Sequence, residues 1–228
     1  MTTFTYDCQN KDTLYEKEWP DIIGNAKHVT FVNAQNVTEI GNWFLSGCRS
    51  LTSVDLSPLS KVTEVGNGFL ARCESLESID LSRLSKVTKI PNWFLYRCHS
   101  LESTDLSGLN NVTHVGTGFL YDCTSLKSVD LSPLSKVTKV GDDFLWGCKS
   151  LRSIDLSPLS NVTRVGGGFL RWCESLKSVD LSPMCNVTKV GDFFLAGCKS
   201  LASIDLSPLE KNIPDIKARC KYLKGKIV

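Results

Sequence analysis

The chain has 228 residues, 42% of them hydrophobic, which is enough to bury a substantial core and excludes intrinsic disorder. Its formal charge of +2 gives no reason to expect nucleic acid or an anionic membrane as a partner. No stretch approaches the roughly eighteen consecutive apolar residues of a bilayer-spanning helix, and the opening MTTFTYDCQNKDTLYEKEWPD lacks the basic and apolar regions of a secretory signal.

One period organises everything that follows. A shift of 25 residues superimposes Val37, Val62, Val87, Val112, Val137, Val162 and Val187, and likewise the phenylalanines from Phe44 to Phe194. The repeated unit reads V-T-x-[VI]-G-x-x-F-L-x-x-C-x-S-L-x-S-[VI]-D-L-S-x-L, with Thr104 and Met184 as departures. In chain order, residues 12–36 are expected to form a degenerate N-terminal cap rung, in which Tyr15, Trp19, Ile23, Val29 and Phe31 stand 25 before Ile40, Phe44, Cys48, Val54 and Leu56. Seven regular repeats fill 37–211. Residues 212–228 are expected to form a shortened C-terminal cap, with a Pro-started helix that places Ile216, Cys220 and Leu223 at the spacing of Phe194, Cys198 and Leu201.

Within a repeat, SLTSVDLSPL alternates Val54 and Leu56 with Ser53, Asp55 and Ser57, which predicts a short parallel strand near 53–56 and every 25 residues thereafter. KVTEVGNGFLARC predicts a brief extended piece with Val62 and Val65 inward. A glycine turn follows, then a helical or 3-10 turn that buries Phe69, Leu70 and Cys73. Pro91 stands for the glycine in one repeat, so that position does not need a positive φ. One such rung cannot bury its apolar face alone, so stability must come from stacking. The fold class is therefore a repeat solenoid: a right-handed superhelix of 25-residue rungs, parallel strands on one face and short helical or 3-10 turns on the other.

The frame L-x-x-L-x-L at a fixed period is that of a leucine-rich repeat, and VTxVGxxFLxxCxSLxSVDLSPL resembles the BspA-like (TpLRR-type) class over residues 12–225. The rung is slightly longer than is usual in that class, and leucine follows the phenylalanine where the class often has alanine before it. The resemblance implies an adhesin, surface antigen or interaction scaffold of a bacterium or unicellular eukaryote.

The cysteine column, Cys48, Cys73, Cys98, Cys123, Cys148, Cys173 and Cys198, is read as structural. Zinc sites need close pairs such as C-x-x-C, which do not occur, and a free cysteine packs as a small hydrophobe. Cys220 joins the column, Cys8 and Cys185 lie off it, and Cys8 is expected to be the most reactive thiol. His28, His99 and His114 share no column, and VGGGFL lacks the phosphate-loop pattern. No catalytic residue, metal or cofactor is expected. The sequons at Asn36, Asn111, Asn161 and Asn186 belong to the repeat itself.

Two surfaces compete as a binding face. The strand face carries an acidic column, Asp55, Asp80, Asp105, Asp130, Asp155, Asp180 and Asp205, which either meets a basic partner or a cation or is satisfied by neighbouring serine hydroxyls. The turn face carries Trp43, Trp93, Tyr96, Tyr121, Trp146, Trp172 and Phe193 at positions that vary between repeats. These aromatics are expected to be at least half exposed and to bind a partner, or else to cover a neighbouring rung. Position 52 runs from acidic (Glu77, Glu102) to basic (Lys127, Arg152, Lys177), a solvated edge. Charged neighbours such as Glu39, Glu64, Lys89 and Lys139 disfavour a lattice binder of the ice-binding kind. The expectation is a non-enzymatic protein–protein interaction scaffold, alternatively a surface antigen or adhesin. Its partner would be a protein, with no nucleic acid and no membrane insertion, and the chain a monomer by default. Free thiols without a signal peptide favour an intracellular place, with the cell surface as the alternative.

Overall fold

Valine and threonine set the first side of each rung, because β-branched residues fit a pleated, half-buried ladder. In the computed structural model, which describes residues 2–15, 19–223 and 225–228, the two-residue strands that follow this Val-Thr pair stack in parallel. Lys89–Ile90, His114–Val115, Lys139–Val140, Arg164–Val165 and Lys189–Val190 form a five-stranded sheet, and Thr13–Leu14, Glu39–Ile40 and Glu64–Val65 a three-stranded one. Threonine hydroxyls reinforce the ladder: Thr113, Thr138, Thr163 and Thr188 each donate to the carbonyl of the preceding rung's threonine at 3.1–3.4 Å. The break between the two sheets falls at Pro91. In other rungs the glycine at this position donates its N–H to the rung below, as Gly66 does to Ile40 at 2.7 Å and Gly116 to Ile90 at 2.9 Å. Proline has no such donor.

The second side departs from expectation. Parallel strands occur at Thr3–Asp7, His28–Val32 and Ser53–Val54, and again at Ser78–Asp80 and Ser103–Asp105. The equivalent segments 128–130, 153–155 and 178–180 carry no strand. There the first bond persists in two of the three rungs, with Lys127 and Lys177 donating backbone N–H to the preceding rung at 3.2 Å. Opening this side is tolerable because its backbone faces water, and at these rungs the Val-Thr ladder and the phenylalanine turns remain bonded. The 3-10 helices also sit elsewhere than expected: Ser57–Leu59, Ser107–Leu109, Ser132–Leu134, Ser157–Leu159 and Ser182–Met184 follow the strand side, and four of them have proline in the first turn.

The phenylalanine side is neither helix nor 3-10. Three residues per rung alternate into the left-handed region, as at Trp93 (φ 57°), Leu95 (φ 55°) and Arg97 (φ 57°). This alternation turns backbone N–H and C=O groups toward the adjacent rungs. Trp93 donates to Thr117 O at 2.7 Å, Leu95 to Phe69 O at 2.9 Å and Arg97 to Tyr121 O at 2.7 Å, and the pattern recurs up the stack. The turns thus form a third inter-rung ladder. Inside it the phenylalanines stack face to face from Phe44 to Phe194, with ring centroids 4.9–6.1 Å apart.

Both ends extend the stack. Thr3–Asp7 pairs with His28–Val32 at the repeat offset, Thr3 opposite His28, so a strand precedes the rung expected at 12–36. In that rung Leu14, not Tyr15, lies opposite Ile40, an offset of 26, and Tyr15 is exposed. One extra residue there leads into the helix Trp19–Ile23, which sets the Trp19 ring edge-on against Phe44 at 5.2 Å. At the other end Ser207–Glu210 and Ile216–Arg219 are short helices that bury Leu209, Ile216 and Cys220, and Ile227 bridges to Ile204.

Candidate binding surface

The cysteine column is inert by construction. Each thiol from Cys73 to Cys198 donates to a leucine carbonyl of the preceding rung, for example Cys123 Sγ to Leu95 O at 3.1 Å. Burial holds Cys73, Cys98, Cys123, Cys148 and Cys173 well above the usual thiol range and pushes Cys48 up to about 12. Cys8, expected to react first, is buried and pushed up to about 11, chiefly by desolvation. Cys185 is the exposed thiol. It replaces the serine after the 3-10 turn, where the side chain leaves the core. Titration of the native protein with an aromatic disulfide should show Cys185 modified at once and the other thiols only on unfolding; Cys185→Ser should abolish the fast phase. A fast phase surviving in that variant would refute the assignment.

The acidic column is consumed locally. Asp55, Asp80, Asp105, Asp130, Asp155, Asp180 and Asp205 each accept, through one carboxylate oxygen, the backbone N–H of the serine two residues on, at 2.8–2.9 Å. Ser157 and Ser207 add hydroxyl bonds to the other oxygen. These bonds to the serines hold the carboxyls of Asp55, Asp80, Asp130, Asp180 and Asp205 below their ordinary value. The column is the hinge that turns each rung into the segment that follows, a 3-10 helix in five of the seven rungs. The sequon asparagines are similarly occupied: Asn111, Asn161 and Asn186 donate Nδ2 to carbonyls of the preceding rung at 2.9–3.0 Å, and Asn36 donates to Asn10 O at 3.4 Å.

The three histidines stay apart. His28 bonds Ser53 Oγ, His114 bonds its neighbour Thr113, and His99 Nε2 lies 3.4 Å from Asp122. Among the described residues no three histidines, cysteines or acids gather as metal ligands, and no helix is long and apolar enough to cross a membrane.

The aromatics fall into two principal columns, separated by two or three residues along each turn. Tyr96, Tyr121 and Trp146 stack in succession, with centroids 4.8 and 4.3 Å apart. Trp93 does not join them; its ring lies parallel to Trp43 within 13°, at 5.5 Å. Those two tryptophans are two rungs apart, and Gly68 makes their contact possible: a Cβ there would stand 2.2 Å from the Trp43 ring. Phe193 stacks on Tyr222 and lies beneath the Arg171 guanidinium, while Trp172 covers Gly197. Mutual cover reduces exposure below the expected half: 48% at Trp43, 38% at Trp93 and 37% at Phe193, with Tyr96, Tyr121, Trp146 and Trp172 lower still. The first column ends in a groove of about 380 Å³ lined by Trp43, Ser46, Ala71, Arg72, Trp93 and Tyr96. Ser46, Ala71 and Arg72 are absent from the sequence-based site. The signal that points to them is the alternation of one position between large residues and glycine: Trp43, Gly68, Trp93, Gly118, Asp143, Gly168, Phe193.

Stacked Val-Thr ladders, a phenylalanine spine and a thiol column define the repeat, and the profile of the BspA type leucine rich repeat region matches it in six copies, over residues 24–152 and 88–222. The chain belongs to the BspA-type leucine-rich repeat family. Its backbone is similar to that of a leucine-rich repeat protein of T. pallidum, with a TM-score of 0.63 and 22% identity over 95% of this chain and 88% of that one. A leucine-rich repeat protein of Bacteroides ovatus shares 20% identity at a TM-score of 0.38, over 79% of this chain and 67% of its own. No curated protein matches the chain. BspA-type repeats are scaffolds, generally non-enzymatic, that commonly mediate protein–protein interaction and are often surface-associated.

Proposed function

We propose that the protein is a non-enzymatic scaffold that binds a protein partner through its aromatic turns, with residues 12–36 and 212–228 acting as caps. The observation that carries this reading is the contrast between the two candidate faces. Every aspartate of the strand face is engaged in its own turn. The turn face presents Trp43, Trp93 and Phe193 partly exposed, the residue types that concentrate binding energy. The alternative site, the acidic column, offers the same Ser-Asp-Ser surface on every rung and so little means of discrimination. Free, buried thiols favour a reducing compartment. The family's frequent surface association favours the second reading, a surface antigen or adhesin, and labelling of intact cells with an antibody separates the two.

The test uses the intact protein as bait for its own cell lysate, followed by titration of the recovered partner against single variants whose fold has been verified. Trp93→Ala and Trp146→Ala should weaken binding by about tenfold or more. Asp105→Asn and Asp130→Asn retain the turn geometry and should leave binding unchanged. The opposite pattern assigns binding to the acidic face.

A further inference from the structure

The residue after each Val-Thr pair forms a column of its own: Glu39, Glu64, Lys89, His114, Lys139, Arg164 and Lys189. Its sign reverses at the break beside Pro91. Both acids lie on the three-stranded sheet, and every later member lies on the five-stranded one. There the register sets Lys89 opposite His114, His114 opposite Lys139, Lys139 opposite Arg164 and Arg164 opposite Lys189. Neighbouring strands lie about 4.8 Å apart, so this stretch of the column runs along the stack for about 19 Å.

Like charges directly opposite one another on adjacent strands repel. Other columns of this chain place an acid on the adjoining rung: Lys127 meets Glu102 at 2.7 Å, Lys199 meets Glu174 at 2.9 Å and Arg49 meets Glu74 at 3.3 Å. Lys89, Lys139, Arg164 and Lys189 are exposed, and none of them forms an ion pair among the described residues. His114, half-buried and bonded to Thr113, fills the remaining place. A row of cations held without counter-charge is a source of instability that an anionic partner laid along it offsets.

Spacing selects the form of that partner. An extended chain repeats its same-face side chains about every 6.7 Å and slips by about 2 Å at each rung. An α-helix advances about 5.4 Å per turn, so one acid per turn drifts from the column by only about 0.6 Å per rung. Flexible lysine and arginine stems absorb a mismatch of that size.

We infer that the five-stranded face docks an acidic helix of a partner protein, lying along the stack with one carboxylate per turn against Lys89, Lys139, Arg164 and Lys189. Glu64 bounds the site at one end. The inference goes beyond the reading of the aromatic turns, which occupy another side of the rung, and neither depends on the other.

The probe is a fluorescein-labelled, lactam-stapled helix of about eighteen residues with one glutamate per turn along a single face. It is titrated with the full chain at low ionic strength and followed by anisotropy. Saturable binding is expected, falling steeply as salt is raised. Arg164→Glu should weaken it about tenfold or more, because a carboxylate then stands within the row of cations. The same change should raise the thermal midpoint, since the new carboxylate has Lys139 and Lys189 directly opposite. Arg164→Gln only removes the charge and should bind about threefold more weakly, which keeps the test open if the first variant does not fold. Lys177→Glu makes the same change in net charge on the strand side and should bind as the parent does. The inference is overturned if the helix fails to bind the parent, if the folded Arg164 variants bind as the parent does, or if Lys177→Glu loses as much as Arg164→Glu. A proline-broken peptide of the same composition that binds equally well would also overturn it. Heparin or single-stranded DNA that binds in the parent and is lost in Arg164→Glu, while the acidic helix stays unbound, would assign the column to another class of polyanion and overturn it likewise.

Discussion

Replacing Phe119 by alanine is expected to destabilise the protein by about 3–5 kcal/mol, the usual cost of deleting a buried aromatic ring. The side chain is fully buried and stacked on both neighbours, 6.1 Å from Phe94 and 5.3 Å from Phe144. Its removal leaves a cavity at the junction of two rungs near the centre of the array. In a stack whose rungs touch only their neighbours, a weakened junction also lowers cooperativity. Urea unfolding followed by circular dichroism should therefore show both a lower midpoint and a broader or two-step transition. Phe194→Ala, at the last regular rung, removes a ring with a phenylalanine on one side only and should preserve a single transition. A loss below about 1 kcal/mol for Phe119→Ala would mean that the phenylalanine spine is not the main inter-rung contact.

Leu120→Ile conserves volume and hydrophobicity, yet it should cost about 2–3 kcal/mol. All seven leucines of this column are left-handed, with φ between 51° and 55°. A β-branched residue in that region is an outlier, and holding one there costs about 1–3 kcal/mol before any repacking. The control is Leu131→Ile, equally buried but with φ at −90°, which should stay under about 1.5 kcal/mol. Equal losses at the two positions would show that the left-handed alternation contributes nothing specific to stability. The same reasoning explains why leucine, unbranched at Cβ, recurs after the phenylalanine in every rung.

The left-handed ladder and the cover it gives the core show where reading by pattern stopped. Side-chain periodicity reports which residues face inward, and it placed Phe69, Leu70 and Cys73 correctly in the core. It does not report backbone conformation when inward residues sit one and three apart, because a helical turn and an αR-αL alternation present the same three side chains. The strand side illustrates a second gap. Val129, Ile154 and Val179 preserve the alternating pattern, yet no strand forms there. Pattern describes the burial of side chains; pairing depends on whether adjacent rungs approach within hydrogen-bonding distance, which the other two ladders govern.

From its period alone the sequence determined a leucine-rich-repeat solenoid, a buried column of cysteines, and columns of aspartates and of aromatics on two different faces. Each of these follows from identical residues recurring every 25 positions, since stacking equivalent rungs brings equivalent side chains together. The tertiary structure decided the rest. It paired Trp43 with Trp93 across Gly68, stacked Tyr96, Tyr121 and Trp146 in succession, and turned the aspartates onto their own serines. It also moved the exposed thiol from Cys8 to Cys185. These outcomes depend on what the neighbouring rung carries at the same position, a methyl, a hydrogen or a ring, and that becomes a contact only once the rungs are stacked.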